Sequence, residues 1–167
     1  ERPERKISTY NLNPSMKQRP KNVTDKLAIQ FFPEGGTLVK GISSRVAFKA
    51  ESREEGNVIL EGAIYTKDGE KLTEIKTLHD GMGIFTYTPE EKPAVAKVVY
   101  KEKEYQFDLP DALPAGYVLN VNNSSGAIVG NVLSNENTPD ADIVAFISHE
   151  GRPYSYWVLR MRSGGNQ

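Results

Sequence analysis

The chain has 167 residues and a formal net charge of −1, and its basic and acidic side chains are interspersed. It therefore has no basic field that could neutralise nucleic-acid phosphates or hold an anionic membrane surface. The absence of cysteine excludes disulfides, thiolate metal sites and cysteine nucleophiles.

Residues 1–26 are rich in charge, proline and asparagine, and we predict a linker here or a strand that belongs to a preceding domain. Pro14 and Pro20 exclude a long helix, whereas residues 7–12 could form one extended strand. Because the chain begins without methionine and ends in a polar tail at residues 161–167, we expect it to be a piece of a longer protein. No apolar run approaches the roughly 18 to 20 residues of a membrane helix, and no signal peptide opens the sequence.

An interrupted apolar run at residues 31–50 is the centre of the predicted fold. Pro33 cannot donate a ladder hydrogen bond, and Gly35 and Gly36 tolerate backbone angles that other residues avoid, so a strand must end or bulge here. Beyond the interruption, apolar side chains alternate with charged or small ones, which predicts a strand with one buried face. The residues of that face are Val46, Phe48 and Ala50.

Short β-type runs continue to residue 110 at spacings of roughly 8 to 12 residues, which is the rhythm of an all-β sandwich. Gly69 suits a hairpin turn, and Gly81 and Gly83 mark a second corner. We predict about seven strands in an immunoglobulin-like sandwich over residues 27–110. The predicted strands cover residues 27–33, 45–51, 58–66, 72–77, 84–88, 94–100 and 105–109.

A short polar hinge between Pro110 and Pro114 predicts a boundary, because a new series of strands begins after it. Four or five strands in about fifty residues are too few to bury a complete sandwich. We therefore predict a second, partial β-sandwich over residues 111–160. Its predicted strands cover residues 117–121, 127–133, 143–148 and 154–159.

Five segments carry a family resemblance: FFPEGGTLVKGISSRVAFKA, the KDG hairpin, HDGMGIFTYTPEE, AGYVLNVNNSSG and VAFISHEGRPYSYWV. Together they resemble the macroglobulin-type domains of bacterial alpha-2-macroglobulin-like proteins. They look most similar to versions in large envelope proteins that also carry a plug domain like those of TonB-dependent receptors. The most specific pieces are residues 32–36 and 81–83, and the resemblance covers about residues 27 to 160.

This resemblance implies seven-stranded sandwiches strung end to end, which act as scaffold and interaction surface. It also implies a location in the bacterial cell envelope, either periplasmic or associated with the outer membrane. The thioester chemistry of the superfamily needs a cysteine and a glutamine in a separate domain, and this chain has no cysteine. The resemblance therefore implies architecture, and it implies no cofactor.

The candidate catalytic residues are few. His79 and His149 each stand beside an acid and a glycine, and neither has a second ligand at the spacing of a zinc site. Ser43 and Ser44 are not part of a GxSxG nucleophile elbow. We therefore expect the histidines to be exposed turn residues and the chain not to be an enzyme. A hydrolase site between the two halves is kept as an alternative.

The loop at residues 135–142 offers several oxygen donors of the kind that calcium binds on flexible turns. The EF-hand pattern is not met, so an ordinary solvated loop is the favoured interpretation and a calcium site stays open. The donors are Asn135, Glu136, Asn137, Asp140 and Asp142.

Tyr154 and Tyr156 are expected to share one face of a strand, and such rings bind sugars and partner proteins at small entropic cost. Trp157, on the other face, is expected in the core. Glu34 and Asp80 could be imagined as a catalytic carboxylate pair. We expect instead that each accepts hydrogen bonds from N–H groups of its own turn.

The leading hypothesis is a non-catalytic structural and protein-interaction module of a larger bacterial envelope protein, with a link to outer-membrane transport or protease trapping. Its expected partners are neighbouring domains of the same polypeptide or another envelope protein, reached through sheet edges or the loops at the ends of the sandwich, and Tyr154 and Tyr156 are the candidate interaction surface. We expect no nucleic acid, no membrane insertion by this segment, no metal and no cofactor. The main alternative is a carbohydrate-binding module.

Overall fold

A computed structural model of the chain describes residues 26–124 and 126–165, and these residues form strands and turns with no helix. The all-β prediction is thus confirmed. The predicted linker at residues 1–26 lies outside the described residues except for Lys26, as do the last two residues of the tail. The described residues form fourteen strands: β1 (Leu27–Pro33), β2 (Leu38–Val39), β3 (Ser44–Ser52), β4 (Gly56–Asn57), β5 (Glu61–Thr66), β6 (Lys71–Lys76), β7 (Met82–Tyr87), β8 (Ala94–Tyr100), β9 (Lys103–Asp108), β10 (Ala112–Leu113), β11 (Tyr117–Ser124), β12 (Ala127–Ser134), β13 (Ala141–His149) and β14 (Arg152–Met161).

Strand β3 is the centre of the first sheet. It pairs antiparallel with β1 on one side and with β7 on the other, and the short β4 pairs with its end. Every second residue of β3 is buried, because alternate side chains of a strand point to opposite faces. Phe48 therefore faces the interior, where it pairs in register with Phe31 and Gly83.

The second sheet has the order β6-β5-β8-β9, with all neighbours antiparallel. Strands β8 and β9 are joined by Lys101 and Glu102 alone, and both have positive φ angles of 50° and 62°. Two consecutive left-handed residues form the mirror-image turn whose twist matches that of a hairpin. The turn between the strands predicted at residues 94–100 and 105–109 is therefore two residues long, and Lys103 begins β9.

The inner faces of the two sheets share one core, so residues 27–109 form a β-sandwich-like, two-layer unit. One predicted strand is shorter than expected, since β5 begins at Glu61 and not at residue 58. Val58 and Leu60 are buried although they precede the strand, while Ile59 is 86% exposed. Leu60 exchanges backbone and side-chain hydrogen bonds with Thr77, which holds this segment without a ladder.

The second half consists of two antiparallel hairpins, β11–β12 and β13–β14, which form separate two-stranded sheets. Each predicted strand is present and longer than expected. Within the described residues neither hairpin has a third strand, and a lone hairpin has little core of its own. The partial sandwich predicted for residues 111–160 therefore takes the form of two ribbons in this chain.

The predicted tail begins later than residue 161. Met161 is the last residue of β14 and is buried, and the segment after it folds back so that the N–H of Ser134 donates to the carbonyl of Gly165. Among the described residues no helix is long and apolar enough to cross a membrane.

Candidate interaction surface

The Pro33–Gly36 corner lies where the two halves meet. Gly35 and Gly36 have φ angles of 77° and 88°, and the N–H of Gly36 donates to the carbonyl of Pro33 at 2.9 Å. A Cβ atom on Gly35 would lie 3.0 Å from the backbone nitrogen of Leu119. The glycine thus allows both the left-handed turn and the close approach of β11.

Glu34 and Arg45 together hold the free edge of β11. The guanidinium of Arg45 donates to both carboxylate oxygens of Glu34, at 2.7 Å from Nε and 2.6 Å from Nη2. Glu34 Oε1 accepts the N–H of Val121 at 2.8 Å, and Arg45 Nη2 donates to the carbonyl of Val121. The ion pair therefore satisfies the N–H and C=O of an edge residue, as a neighbouring strand would.

The hydrogen bond from Arg45 and the N–H of Val121 hold the pKa of Glu34 below its usual value, against an opposing effect of partial burial. The expectation that Glu34 accepts from its own turn is wrong, because its backbone acceptor role is toward a residue 87 positions away. Asp80 is also different from the expectation: its carboxylate lies 3.0 Å from Nε2 of His79. The structure shows no contact that joins Glu34 to Asp80 within the described residues.

We expect Glu34→Gln to lower the free energy of unfolding by about 1–2 kcal/mol at pH 7. The neutral amide has one acceptor oxygen, so it cannot accept both hydrogen bonds from Arg45 and carries no charge to pair with the guanidinium. A lowered folded-state pKa contributes stability above the ordinary glutamate value of about 4.3, and this contribution is lost as pH falls through the lowered pKa. Denaturant unfolding at several pH values should show the two proteins converging in acid. Glu91→Gln is the matched control, since Glu91 pairs with Lys40 in solvent. A constant difference at all pH values would contradict the role of the charge.

The segment of the first half from β2 to Ile42 also packs against the second half. Strand β10, within the predicted polar hinge, pairs in parallel with β2. Val39 and Ile42 of this segment form a small second core with Val118, and Leu133 packs against it. The predicted boundary is therefore hydrogen-bonded to the first half and is not a free linker.

The glycines predicted for turns fall into two groups. Gly69 and Gly81 have φ angles of 92° and 71° and lie in the β5–β6 and β6–β7 turns. The β6–β7 turn is closed by two backbone hydrogen bonds between His79 and Met82. Gly83 lies inside β7 without a positive φ, so it is a strand residue whose missing side chain leaves room for the ring of Phe48.

Several polar side chains of the loop at residues 135–142 are hydrogen-bonded to other groups of the protein. The amide nitrogen of Asn135 donates to the carbonyls of Lys40 and Pro114, and its Oδ1 accepts from the buried Thr138. Asp140 accepts from Arg162 at 2.8 Å and from the N–H of Ser163 at 2.9 Å, and the N–H bond is the larger cause of its lowered pKa. No cluster of three or more candidate metal ligands is found in the described part of the chain.

The remaining candidate residues lie on separate elements. His79 is in the β6–β7 turn, and His149 at the tip of β13 has Nε2 3.9 Å from Glu150. Both imidazoles are largely exposed. Ser43 is exposed before β3, whereas Ser44 is buried and donates weakly to the carbonyl of Ile42 at 3.4 Å.

Tyr154 and Tyr156 are 82% and 70% exposed on the β13–β14 ribbon. The strand register shifts between Ile147 and Ser148, and Tyr154 is the extra residue on β14. The expected burial of Trp157 is wrong, since its side chain is 49% exposed on the opposite face. The described chain offers this ring no core to enter, because the ribbon has only two strands.

The tyrosines belong to a larger apolar surface that the sequence pattern did not reveal. Four of its members are paired in register, Val144 with Val158 and Phe146 with Tyr156. We call this surface the aromatic face. It consists of Val144, Phe146, Tyr154, Tyr156 and Val158, and each is at least 58% exposed. One signal could have found it: residues 143–148 and 153–159 contain no charged side chain.

No protein-family model matches the chain, and neither a curated protein nor a solved structure is significantly similar to it. The family resemblance therefore depends on the sequence motifs alone.

Proposed function

We propose that this chain is a non-catalytic structural and protein-interaction module of a larger bacterial envelope protein. In this proposal residues 27–110 are a macroglobulin-type, immunoglobulin-like sandwich that acts as the scaffold. Residues 111–160 are the strands of a second unit, and a partner completes them. The family part of the proposal is supported by the motifs, and by seven longer strands divided between two sheets.

The observation that carries the proposal is the aromatic face. On β13 this face lies within residues 143–148, which carry no charged side chain and span about 20 Å. Monomeric proteins rarely expose contiguous apolar patches above a few hundred Å², and such patches mark interaction sites. Aromatic residues are also the residues that dominate the energy of protein interfaces. A protein partner would therefore remove from water a surface that the described residues leave exposed.

The Glu34–Arg45 contacts support the same function, because they fix the second half to the scaffold. Val121 is held through both its N–H and its carbonyl, and the Val39–Ile42–Val118 cluster lies beside this contact. The loop that leads to the ribbon of the aromatic face is held as well, since Asn135 donates to the carbonyl of Lys40. A surface held by a scaffold loses less conformational entropy on binding than a flexible segment does.

A photo-reactive residue tests this function in bacteria that express the whole parent protein. We expect benzoylphenylalanine in place of Tyr156 to form a covalent adduct with a protein of the envelope or with a neighbouring domain. The same residue in place of Ile59 is the matched control, because Ile59 is also strongly exposed but lies on the first half. Equal labelling at both positions, or none at Tyr156, would contradict an interaction surface on this ribbon.

The carbohydrate-binding alternative is favoured by one observation. Tyr154 and Tyr156 are strongly exposed and lie two residues apart on β14. Flat rings at such spacing can stack on successive sugar units. Saturable binding of an oligosaccharide by calorimetry, lost in Tyr154→Ala and retained in Ile59→Ala, would support this alternative in place of a protein partner.

A further inference from the structure

We infer that the partner of the aromatic face is a second copy of this chain, and that two ribbons pack face to face around a two-fold axis parallel to their strands. This inference rests on the proposed function and names its partner. Two β-ribbons that stack in this way have nearly aligned strands about 10 Å apart, which is the ordinary packing of two sheets.

The arrangement of side chains on the aromatic face is self-complementary. A two-fold axis along the ribbon places β13 of one copy over β14 of the other. Phe146 then lies opposite Tyr156 of the partner subunit, and Val144 lies opposite Val158 of the partner subunit, because these residues are paired in register within each ribbon. The apolar side chains of one ribbon thus cover those of the other, and the Phe146 and Tyr156 rings of the two copies lie against each other.

The charges at the base of the ribbon select this orientation. Asp142 and Arg160 are a register pair on the same face, and both side chains are mostly exposed, with 3.8 Å between Asp142 Oδ1 and Arg160 Nε. The proposed axis places Asp142 opposite Arg160 of the partner subunit, and Arg160 opposite Asp142 of the partner subunit. A base-to-tip orientation would instead separate these opposite charges from the base of the partner ribbon. Opposite charges across an interface fix its register, and like charges there are unfavourable.

The size of the surface predicts a weak dimer. A buried aromatic side chain removes about 150–250 Å² from water, and the three rings of the aromatic face are 60% to 82% exposed. With the two valines, each copy would bury about 500 Å², or about 1,000 Å² in total. This is at the lower limit for specific association, so we expect a dissociation constant of about 10–100 µM.

Charge reversal followed by mixing tests the arrangement with the full chain. Sedimentation velocity should show a monomer–dimer equilibrium, and Asp142→Arg or Arg160→Asp alone should weaken it about tenfold or more. A one-to-one mixture of the two variants should restore dimerisation, because each arginine would again face an aspartate of the other chain. A contact within one chain could not be restored by mixing. Asp68→Arg is the matched control, since Asp68 pairs with Lys92 at the surface of the first half and should leave dimerisation unchanged.

Several results would overturn the inference. They are a protein that stays monomeric well above 100 µM, dimerisation that ignores both substitutions, and a mixture that associates no better than the single variants. If the protein stays monomeric while benzoylphenylalanine at position 156 captures a different protein, the interaction function stands and the second copy is wrong. If neither association nor an adduct is found, the proposed function fails as well.

Discussion

Phe48→Ala is expected to lower the free energy of unfolding by about 3–5 kcal/mol, which is a large part of the stability of an ordinary domain. The Phe48 side chain is 1% exposed at the middle of β3, and its ring centroid lies 6.3 Å from that of Phe85. Truncation removes the apolar contacts of a full ring and leaves a cavity that the two sheets can fill only in part. Denaturant unfolding measures the loss.

Phe32→Ala is the matched control for this substitution. Phe32 lies on β1 of the same sheet, but its side chain is half exposed on the outer face. We expect a loss below about 1 kcal/mol, because little of the ring leaves an apolar environment. Equal losses for the two substitutions would mean that the space between the sheets is not the main core.

Gly83→Ala is expected to cost about 2–3 kcal/mol, although alanine is the smallest possible addition. A Cβ atom there would lie 2.3 Å from the carbonyl oxygen of Lys76 and 2.4 Å from the ring of Phe48. Neither neighbour can move freely, since one is backbone and the other is a buried ring. The strand would have to shift, and thermal or denaturant unfolding reports the cost.

Gly130→Ala is the control for Gly83→Ala. Gly130 also lies in a strand and has no positive φ, and the nearest atom to its added Cβ is 3.8 Å away. Alanine should be neutral or slightly stabilising at this position, because glycine loses more backbone entropy on folding. If both alanines were tolerated, the steric account of β7 would be wrong.

The strands of the first half could be predicted because period-two patterns are local. The alternation at Val46, Phe48 and Ala50 needs only one strand beside a core, and the structure buries these three residues. The short strands β2 and β10 could not be predicted, since two residues carry no periodic signal. They form only because distant segments meet in parallel.

The exposure of Tyr154 and Tyr156 is predictable from the sequence. The expected burial of Trp157 is wrong, because the described residues build no core around its ring. From the sequence, Glu34 is expected to accept N–H groups of its own turn, whereas in the structure it accepts the N–H of Val121, far along the chain. Both errors have the same cause. A local sequence pattern does not show which distant segment of the chain will lie against a given side chain.

By itself the sequence determined the all-β class, the position of most strands and the left-handed turns at Gly35, Gly36, Gly69 and Gly81, because each depends on a few neighbouring residues. Only the tertiary structure decided how the second half packs on the first, and which apolar face stays exposed among the described residues. Burial and long-range pairing depend on which segments meet in space, and that depends on the whole chain at once.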